Sequence, residues 1–229
     1  MLPEFGHAEG LDRRLEQLAP ALGLALDAET RSKLLAYLAL IQRWTKVYNL
    51  TAVRDSGEMF THHLLDCLAV VAPMRRGLVR AEGVRVLDVG SGAGLPGVIL
   101  ALLNSDWQVS CVDAVAKKAT FIRQAAAELG LPNLQGVHGR VEAAATFGPR
   151  RFDLVTSRAF ASLKDFTQLT RSLLAPAGVW AAMKANLSDA ERAELPPTVE
   201  MFHVEQLDVP ELDAARCLVW MKPTSGTSS

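Results

Sequence analysis

The stretch Val86-Leu87-Asp88-Val89-Gly90-Ser91-Gly92-Ala93-Gly94-Leu95-Pro96-Gly97 places one carboxylate inside an apolar run that ends in a cluster of glycines. Glycine takes positive φ and lets a ligand lie against bare main chain. A helix starting behind such a turn offers free N–H groups, and Pro96 suits its first turn. Gly90, Gly92 and Gly94 are therefore candidates to touch a nucleotide-like cofactor. The spacing Gly92-x-Gly94-x-x-Gly97 matches the dinucleotide pattern, and Asp113, 21 residues after Gly92, falls where that fold places its ribose-binding acid. Asp88 argues for another cofactor. A carboxylate two residues before Gly90 repels a pyrophosphate, whereas it suits an ammonium and a sulfonium, the charges of S-adenosylmethionine. Asp113 would then accept hydrogen bonds from both ribose hydroxyls. The plainer reading of Asp88 is a loop-ordering residue bonded to backbone N–H groups, which either cofactor permits.

A loop of this kind needs a sheet to hold it. From Gly83 onward, short β-rich runs alternate with helical stretches, and the spacing predicts strands at Val84 to Val89, Gln108 to Val112, Leu134 to His138, Leu154 to Thr156 and Val179 to Met183. Helices fit at Pro96 to Leu103, Lys117 to Leu129 and Leu163 to Leu174. This alternation predicts βαβ units and a parallel sheet covered on both faces, with the ligand beyond the carboxyl ends of the strands. Val199 to Leu207 and Cys217 to Met221 have no long helix between them, so they are expected to form an antiparallel hairpin that makes the sheet mixed. Up to about Val71 the pattern is helical instead. Leu11, Leu15, Leu18 and Leu22 form one apolar series, Leu34, Tyr37, Leu38, Ile41 and Trp44 a second that starts near Asp27, and a third helix is expected from Glu58 to Val71. Tyr48 to Gly57 breaks the period.

Composition sets limits on function. The chain has 229 residues, 49% of them apolar and 21% charged. At this size about 70 to 75% of the unfolded surface is buried on folding, which needs neither disulfides nor a partner. No apolar run approaches the roughly 18 residues of a membrane span. The opening Met-Leu-Pro-Glu-Phe-Gly-His-Ala-Glu-Gly lacks the basic segment and apolar stretch of a secretory signal. Cys67, Cys111 and Cys217 are scattered, without disulfide or zinc spacing. A cytoplasmic protein without a metal site is expected. The net charge of −1 is spread unevenly: residues 75–151 carry 10 Lys and Arg against 6 Asp and Glu, between two segments that are net acidic. A basic middle suits an anionic partner, and equally an ordinary solvated surface.

Five runs carry a specific resemblance: Tyr48-Asn49-Leu50-Thr51-Ala52-Val53-Arg54-Asp55, His63-Leu64-Leu65-Asp66, the Asp88 to Gly97 loop, Arg140-Val141-Glu142, and Ser157-Arg158-Ala159-Phe160-Ala161-Ser162-Leu163. From about Leu34 to Lys222 the chain resembles the bacterial 16S ribosomal RNA guanine-N7 methyltransferases, also known as the glucose-inhibited division protein B family. The resemblance implies a class I S-adenosylmethionine-dependent methyltransferase fold, an α/β Rossmann-like sheet of seven mostly parallel strands behind an N-terminal helical part. Together with the pattern along the chain this sets the expected boundaries at 1–74 for a helical extension packed on the main domain, 75–222 for the methyltransferase domain and 223–229 for a disordered tail, too polar to pack. It also implies cofactor roles for Gly90, Leu95, Val141, Glu142 and Arg158, and a 16S rRNA substrate in the small ribosomal subunit, met by a monomer. Val141 would wall the adenine and Glu142 would accept from its amino group, although a helix start explains this pair too. Arg158 would pair with the methionine carboxylate or an RNA phosphate, unless it forms a surface salt bridge.

What the chain lacks narrows the reaction. Amino-methylating enzymes of this fold carry an Asn/Asp-Pro-Pro-aromatic run where this chain reads Thr156-Ser157-Arg158-Ala159, and no cysteine follows a proline as in the cytosine C5 enzymes. Guanine N7 has an in-plane lone pair and no proton to lose, so alignment suffices and no catalytic base is expected. Asn49, Thr51, His62, His63 and Asp66 are candidates to shape the guanine pocket, the two histidines being as readily structural. Lys117, Lys118, Arg123 and Lys184 are candidates to meet phosphates, against a reading as solvated surface. The four tryptophans read as core. Two competitors stand beside this reading, a nicotinamide-dependent oxidoreductase and a non-catalytic RNA-binding or assembly factor.

Overall fold

The computed structural model describes residues 8–80, 82–143, 147–158, 160 and 162–224. Ala159 and Ala161 of the Ser157 to Leu163 run, the first seven residues of the chain and residues 225–229 of the expected tail lie outside them. Within the described residues, α1 (Ala8–Leu18), a 3-10 turn (Ala19–Leu22) and α2 (Ala28–Tyr48) open the chain. Asp27 caps α2, its side chain accepting from Thr30 N–H at 2.7 Å. Then come α3 (Ser56–Met59), a π-helical turn (Phe60–Leu65), α4 (Asp66–Leu68) and α5 (Val71–Gly77). The sheet follows as β1 (Arg85–Val89), α6 (Gly97–Leu103), β2 (Gln108–Asp113), α7 (Ala116–Leu129), β3 (Leu134–His138), β4 (Phe152–Ser157), α8 (Leu163–Thr170), β5 (Leu174–Lys184), α9 (Asp189–Ala193), β6 (Val199–Leu207) and β7 (Arg216–Pro223).

The seven strands lie in the order β3-β2-β1-β4-β5-β7-β6. β1 to β5 are parallel, and β7 runs antiparallel between β5 and β6. Strand order reverses between β1 and β4, which opens a crevice at their carboxyl ends. Alternate side chains of each strand enter two separate apolar cores, so both faces are covered, as a parallel sheet requires. Val86, Cys111, Leu154, Met183 and Trp220 point to one face, under α1, α2, α6 and α7. Leu87, Val112, Val155, Trp180 and Val219 point to the other, together with Leu163 and Phe166 of α8. Trp107, Trp180 and Trp220 are fully buried, while Trp44 is half-buried.

Three elements differ from expectation. The helix expected from Glu58 to Val71 is interrupted by the π turn and by a break at Ala69 and Val70, and resumes to Gly77. The helix expected to Leu174 stops at Thr170 and leads through a 3-10 turn (Arg171–Leu173) into a β5 of 11 residues. Pro176 and Gly178 read locally as a turn, yet pairing with β4 keeps them in the strand through a register shift between Phe152 and Leu154. A Cβ on Gly178 would sit 2.6 Å from Phe152 O, so close approach of backbone explains the glycine. At the C-terminus, Pro223 ends β7 and Thr224 N–H donates to Thr198 O at 3.0 Å, so the first residues of the expected tail are paired.

The N-terminal helices reach the glycine loop directly. Tyr37 of α2 is buried, and its hydroxyl donates to Ala93 O at 2.5 Å. Tyr37→Phe keeps the ring and leaves that carbonyl without its donor, so the variant should lose about 1 to 2 kcal/mol of stability. Urea unfolding of the two proteins measures it, and equal midpoints would refute the bond's contribution.

Candidate active site

β1 ends at Val89 and the chain turns at Gly90, where the N–H groups of Gly90 and Ser91 both donate to Val112 O at 2.9 and 3.2 Å. Gly90 and Gly92 have φ of +65° and +59°, and a Cβ on either would meet nothing within 4 Å. They leave a strip of bare backbone against open space, a cradle that any side chain would fill. Gly97 differs, because a Cβ there would stand 2.2 Å from Cys111 Sγ, and its absence lets α6 settle on β2. Asp88 lies beneath the loop with no exposed surface, Oδ2 accepting from Gly97 N–H at 2.9 Å. Its Oδ1 is buried without a hydrogen-bond partner among the described residues, an acceptor that the protein's own donors leave unused. Val98 N–H is also taken, by Gly94 O at 2.7 Å. Two of the N–H groups expected to be free at the start of α6 are thus taken, and the carboxylate beneath them is unfavourable to a pyrophosphate. Burial pushes the Asp88 carboxyl up to about 7, with Gly97 N–H and Arg158 acting in the opposite direction.

Asp113 closes the next strand. Its Oδ2 accepts from Gly92 N–H at 3.0 Å and its Oδ1 from Val115 N–H at 2.8 Å, with Lys118 Nζ 3.7 Å from Oδ2. Gly139 N–H donates to Asp113 O at 3.1 Å, which draws the turn carrying Val141 and Glu142 to the same edge. Val141 is buried in the core that holds Val89 and Val112, and Glu142 is exposed, 3.4 Å from Arg140. The helix start considered for this pair is not formed: both residues lie in a turn.

Across the strand-order reversal, Ser157 Oγ donates to Val89 O at 2.8 Å and ties β4 to β1. Beyond it lies an open cavity of about 230 Å³ lined by His62, His63, Asp66, Arg158, Lys184 and Arg216, with Met183 and Ala185. Asp66 is its anchor. The carboxylate, 5% exposed, accepts from Arg216 Nε at 2.9 Å and stands 3.6 Å from Arg158 Nη1. Arg158 Nη1 also donates to His62 O at 2.8 Å, so the guanidinium is held by the π turn. Lys184 Nζ meets Glu191 Oε1 at 2.7 Å. His63 Nε2 lies 2.9 Å from Thr51 Oγ1, and burial, followed by the charge of Arg158, pushes the ring down to about 4, which leaves it neutral at pH 7. Three cations and one carboxylate therefore line the cavity, a setting for an anionic or polar ligand beside the cradle.

Residues 30–219 match the family described as rRNA small subunit methyltransferase G. The chain belongs to this family. It is 57% identical over 214 residues to the ribosomal RNA small subunit methyltransferase G of Methylibium petroleiphilum, covering 93% of this chain and 95% of the relative. To the protein of the same name from Acidovorax ebreus it is 55% identical over 222 residues, covering 94% and 96%. Among solved structures, TrmN from Thermus thermophilus superposes with a TM-score of 0.54 at 22% identity, covering 68% of this chain and 48% of that one. A SAM dependent methyltransferase from Aquifex aeolicus gives 0.51 at 14% identity, covering 72% and 92%. These two likenesses carry the fold, which is that of S-adenosylmethionine-dependent methyltransferases.

The rRNA small subunit methyltransferase G frame orders the candidate residues. Gly90, Gly92, Asp113, Val141 and Glu142 gather at the carboxyl ends of β1 to β3. Gly94 and Leu95 turn inward, Leu95 being 2% exposed and a Cβ on Gly94 lying 2.5 Å from Val98 Cγ2, so they shape the loop from within. Asp88 does the same: fully buried, it accepts from Gly97 N–H through Oδ2, as the loop-ordering reading has it, and keeps Oδ1 unpartnered among the described residues. Arg158 and Lys184 stand in the neighbouring cavity. Asn49 ends α2 in the left-handed region, φ 51°, and its Oδ1 accepts from Arg54 at 2.9 Å, while Thr51 props His63 from behind. Arg123 is two turns along α7, bonded to Thr120 Oγ1 at 3.1 Å, roughly 10 Å of helix away from the mouth. Sequence reasoning missed Arg216. No local pattern marks it, because only the antiparallel insertion of β7, with Cys217 opposite Lys184, brings the start of that strand to the carboxyl ends of the others.

Asp88 makes a pH test possible. Its carboxyl is raised from 3.8 to about 7, so between these values the folded protein holds a proton that the unfolded chain releases. The stability this contributes is complete below about 4 and lost as pH rises through about 7. Asp88→Asn does not titrate there. The melting temperature of the wild type minus that of the variant should fall from pH 4 to pH 7, and a flat difference would overturn the assignment.

Proposed function

We propose that this member of the rRNA small subunit methyltransferase G family transfers the methyl group of S-adenosylmethionine to N7 of a guanine in 16S rRNA, as a cytoplasmic monomer acting on the small ribosomal subunit. The observation that carries this reading is the meeting of two half-sites at the β1/β4 reversal. One is the bare glycine cradle with Asp113, and the other is the cavity of Arg158, Lys184 and Arg216. Among the described residues no helix is long and apolar enough to cross a membrane, and no group of three His, Cys, Asp or Glu side chains is placed to hold a metal ion.

In this reading the backbone at Gly90 and Gly92, the carboxylate of Asp113, the apolar wall at Val141 and the carboxylate of Glu142 hold the cofactor. Bound there, it supplies an electrophilic methyl group on a sulfonium. The protein's part is alignment. The N7 lone pair lies in the plane of the base and attacks with no proton to remove, so no general base is required, and neutral His63 is engaged with Thr51. Arg158 and Arg216, braced by Asp66, and Lys184 receive the O6 and phosphate oxygens of the target nucleotide.

Borohydride reduction and aniline cleavage of 16S rRNA, from cells with and without the protein, is the direct test. Cleavage at one guanine that depends on the protein is expected, and an identical pattern in both would overturn the proposal. With a net charge of −1 the chain lacks the cationic surface that grips naked RNA through many phosphates. Methyl incorporation into intact small subunits should therefore exceed that into deproteinised RNA at near-physiological salt; equal rates would refute subunit recognition.

Arg158→Lys replaces a planar fork by a point charge and should lower methyl transfer about tenfold or more without altering the fold. Single-turnover rates and circular dichroism check it, and wild-type transfer would remove Arg158 from the site.

A further inference from the structure

Six large apolar side chains are exposed among the described residues, and three of them, Val47, Tyr48 and Val115, stand at 69%, 47% and 47% exposure. They sit where the C-terminal end of α2 meets the start of α7. Tyr48 packs on Trp44 with ring centroids 4.9 Å apart, and Trp44 rests edge-on against buried Phe121 at 5.3 Å, so the exposed ring has a rigid backing. Lys117 Nζ lies over the Tyr48 ring, 5.5 Å from its centroid. Arg54 is held beside it through Asn49 Oδ1 at 2.9 Å, a neutral partner that leaves its charge uncompensated, while the neighbouring Asp55 turns away to cap α3 by accepting Glu58 N–H at 2.9 Å.

The placement connects this patch to both half-sites. Val115 and Lys117 follow Asp113, and Val115 N–H donates to that carboxylate at 2.8 Å. On the other side, Asn49 turns the chain from Tyr48 to Thr51, which supports His63 in the cavity wall. An aromatic face with cations at its rim matches what an unpaired base and its phosphate present. The cations at its rim and the proximity of both half-sites favour a phosphate-bearing nucleotide as the occupant.

We propose that Tyr48, backed by Trp44 and flanked by Lys117 and Arg54, is a stacking platform for an unpaired nucleotide of 16S rRNA that neighbours the target guanine. The inference rests on the rRNA reading above and names the surface by which that substrate is steadied. Tyr48 is a positioning residue here and takes no part in the chemistry.

The experiment compares wild type, Tyr48→Ala, Tyr48→Phe and Lys117→Ala. It measures KM and kcat for methyl transfer to small subunits, the Kd of a fluorescein-labelled single-stranded RNA of about ten nucleotides, and the Kd of S-adenosylhomocysteine. Tyr48→Ala should raise KM and weaken the oligonucleotide by about tenfold, with kcat and S-adenosylhomocysteine binding at wild-type values, and Tyr48→Phe should restore both. Lys117→Ala should weaken the oligonucleotide and flatten its salt dependence by about one unit of slope. Unchanged KM and oligonucleotide affinity in Tyr48→Ala would overturn the platform. A raised KM with unchanged oligonucleotide affinity would also overturn it, in favour of a ribosomal protein contact. Should the wild type transfer no methyl group to small-subunit RNA, the proposed function would fall, and the oligonucleotide arm would still decide the platform.

Discussion

The bond from Gly97 N–H to the buried carboxylate of Asp88 governs the arrangement of the site. It binds the first turn of α6 to the middle of the sheet, and Gly90 to Leu95, which lie between the two residues, have to arch over it. Because the carboxylate lies inside, the loop presents backbone to the outside. Because Gly97 has no side chain, α6 lies close enough for the bond to form over Cys111. A buried carboxylate is unfavourable unless bonded, and here one oxygen is bonded and the other is not. The protein thus keeps an acceptor and a raised proton affinity directly under the surface where its cofactor is proposed to lie.

The N-terminal helices act as the third wall of this site. Tyr37 bonds the loop itself, the π turn offers the His62 carbonyl to Arg158, and Asp66 holds the guanidinium groups of β4 and β7 in one cavity. A π turn carries one residue more per hydrogen-bonded ring than an α-helix and recurs at functional positions. Here it allows Phe60, Leu64 and Leu65 to be buried while the neighbouring His62 and Asp66 meet the arginines. These contacts make the helices a part of the site, where a separate appendage would leave the arginines without a counter-charge.

The cavity and the cradle divide the work by electrostatics. Backbone and carboxylates surround the position suited to a cationic sulfonium, and arginine and lysine surround the position suited to an RNA nucleotide. Mixing the two sets would repel both ligands. The ordering follows from topology, since strands on opposite sides of the β1/β4 reversal supply the two sets.

Local pattern was enough for most of the elements and for the glycine loop on which the proposed cofactor site is built. Strands buried on both faces read as continuous apolar runs, the Asp27 cap and the Gly90 to Gly97 loop announce themselves in short windows, and the acid at the end of β2 falls at a fixed distance from that loop. These features depend on neighbours within about one element, so sequence carries them. The extension of β5 through Pro176 and Gly178, the π turn, the inward turn of Asp88, Gly94 and Leu95, and the arrival of Arg216 beside Asp66 were decided by the tertiary structure. Each depends on a partner far along the chain, as with Asp66 and Arg216, which are 150 residues apart. Direction of a side chain and pairing across a sheet are set by packing of the whole, and no local run of residues encodes them.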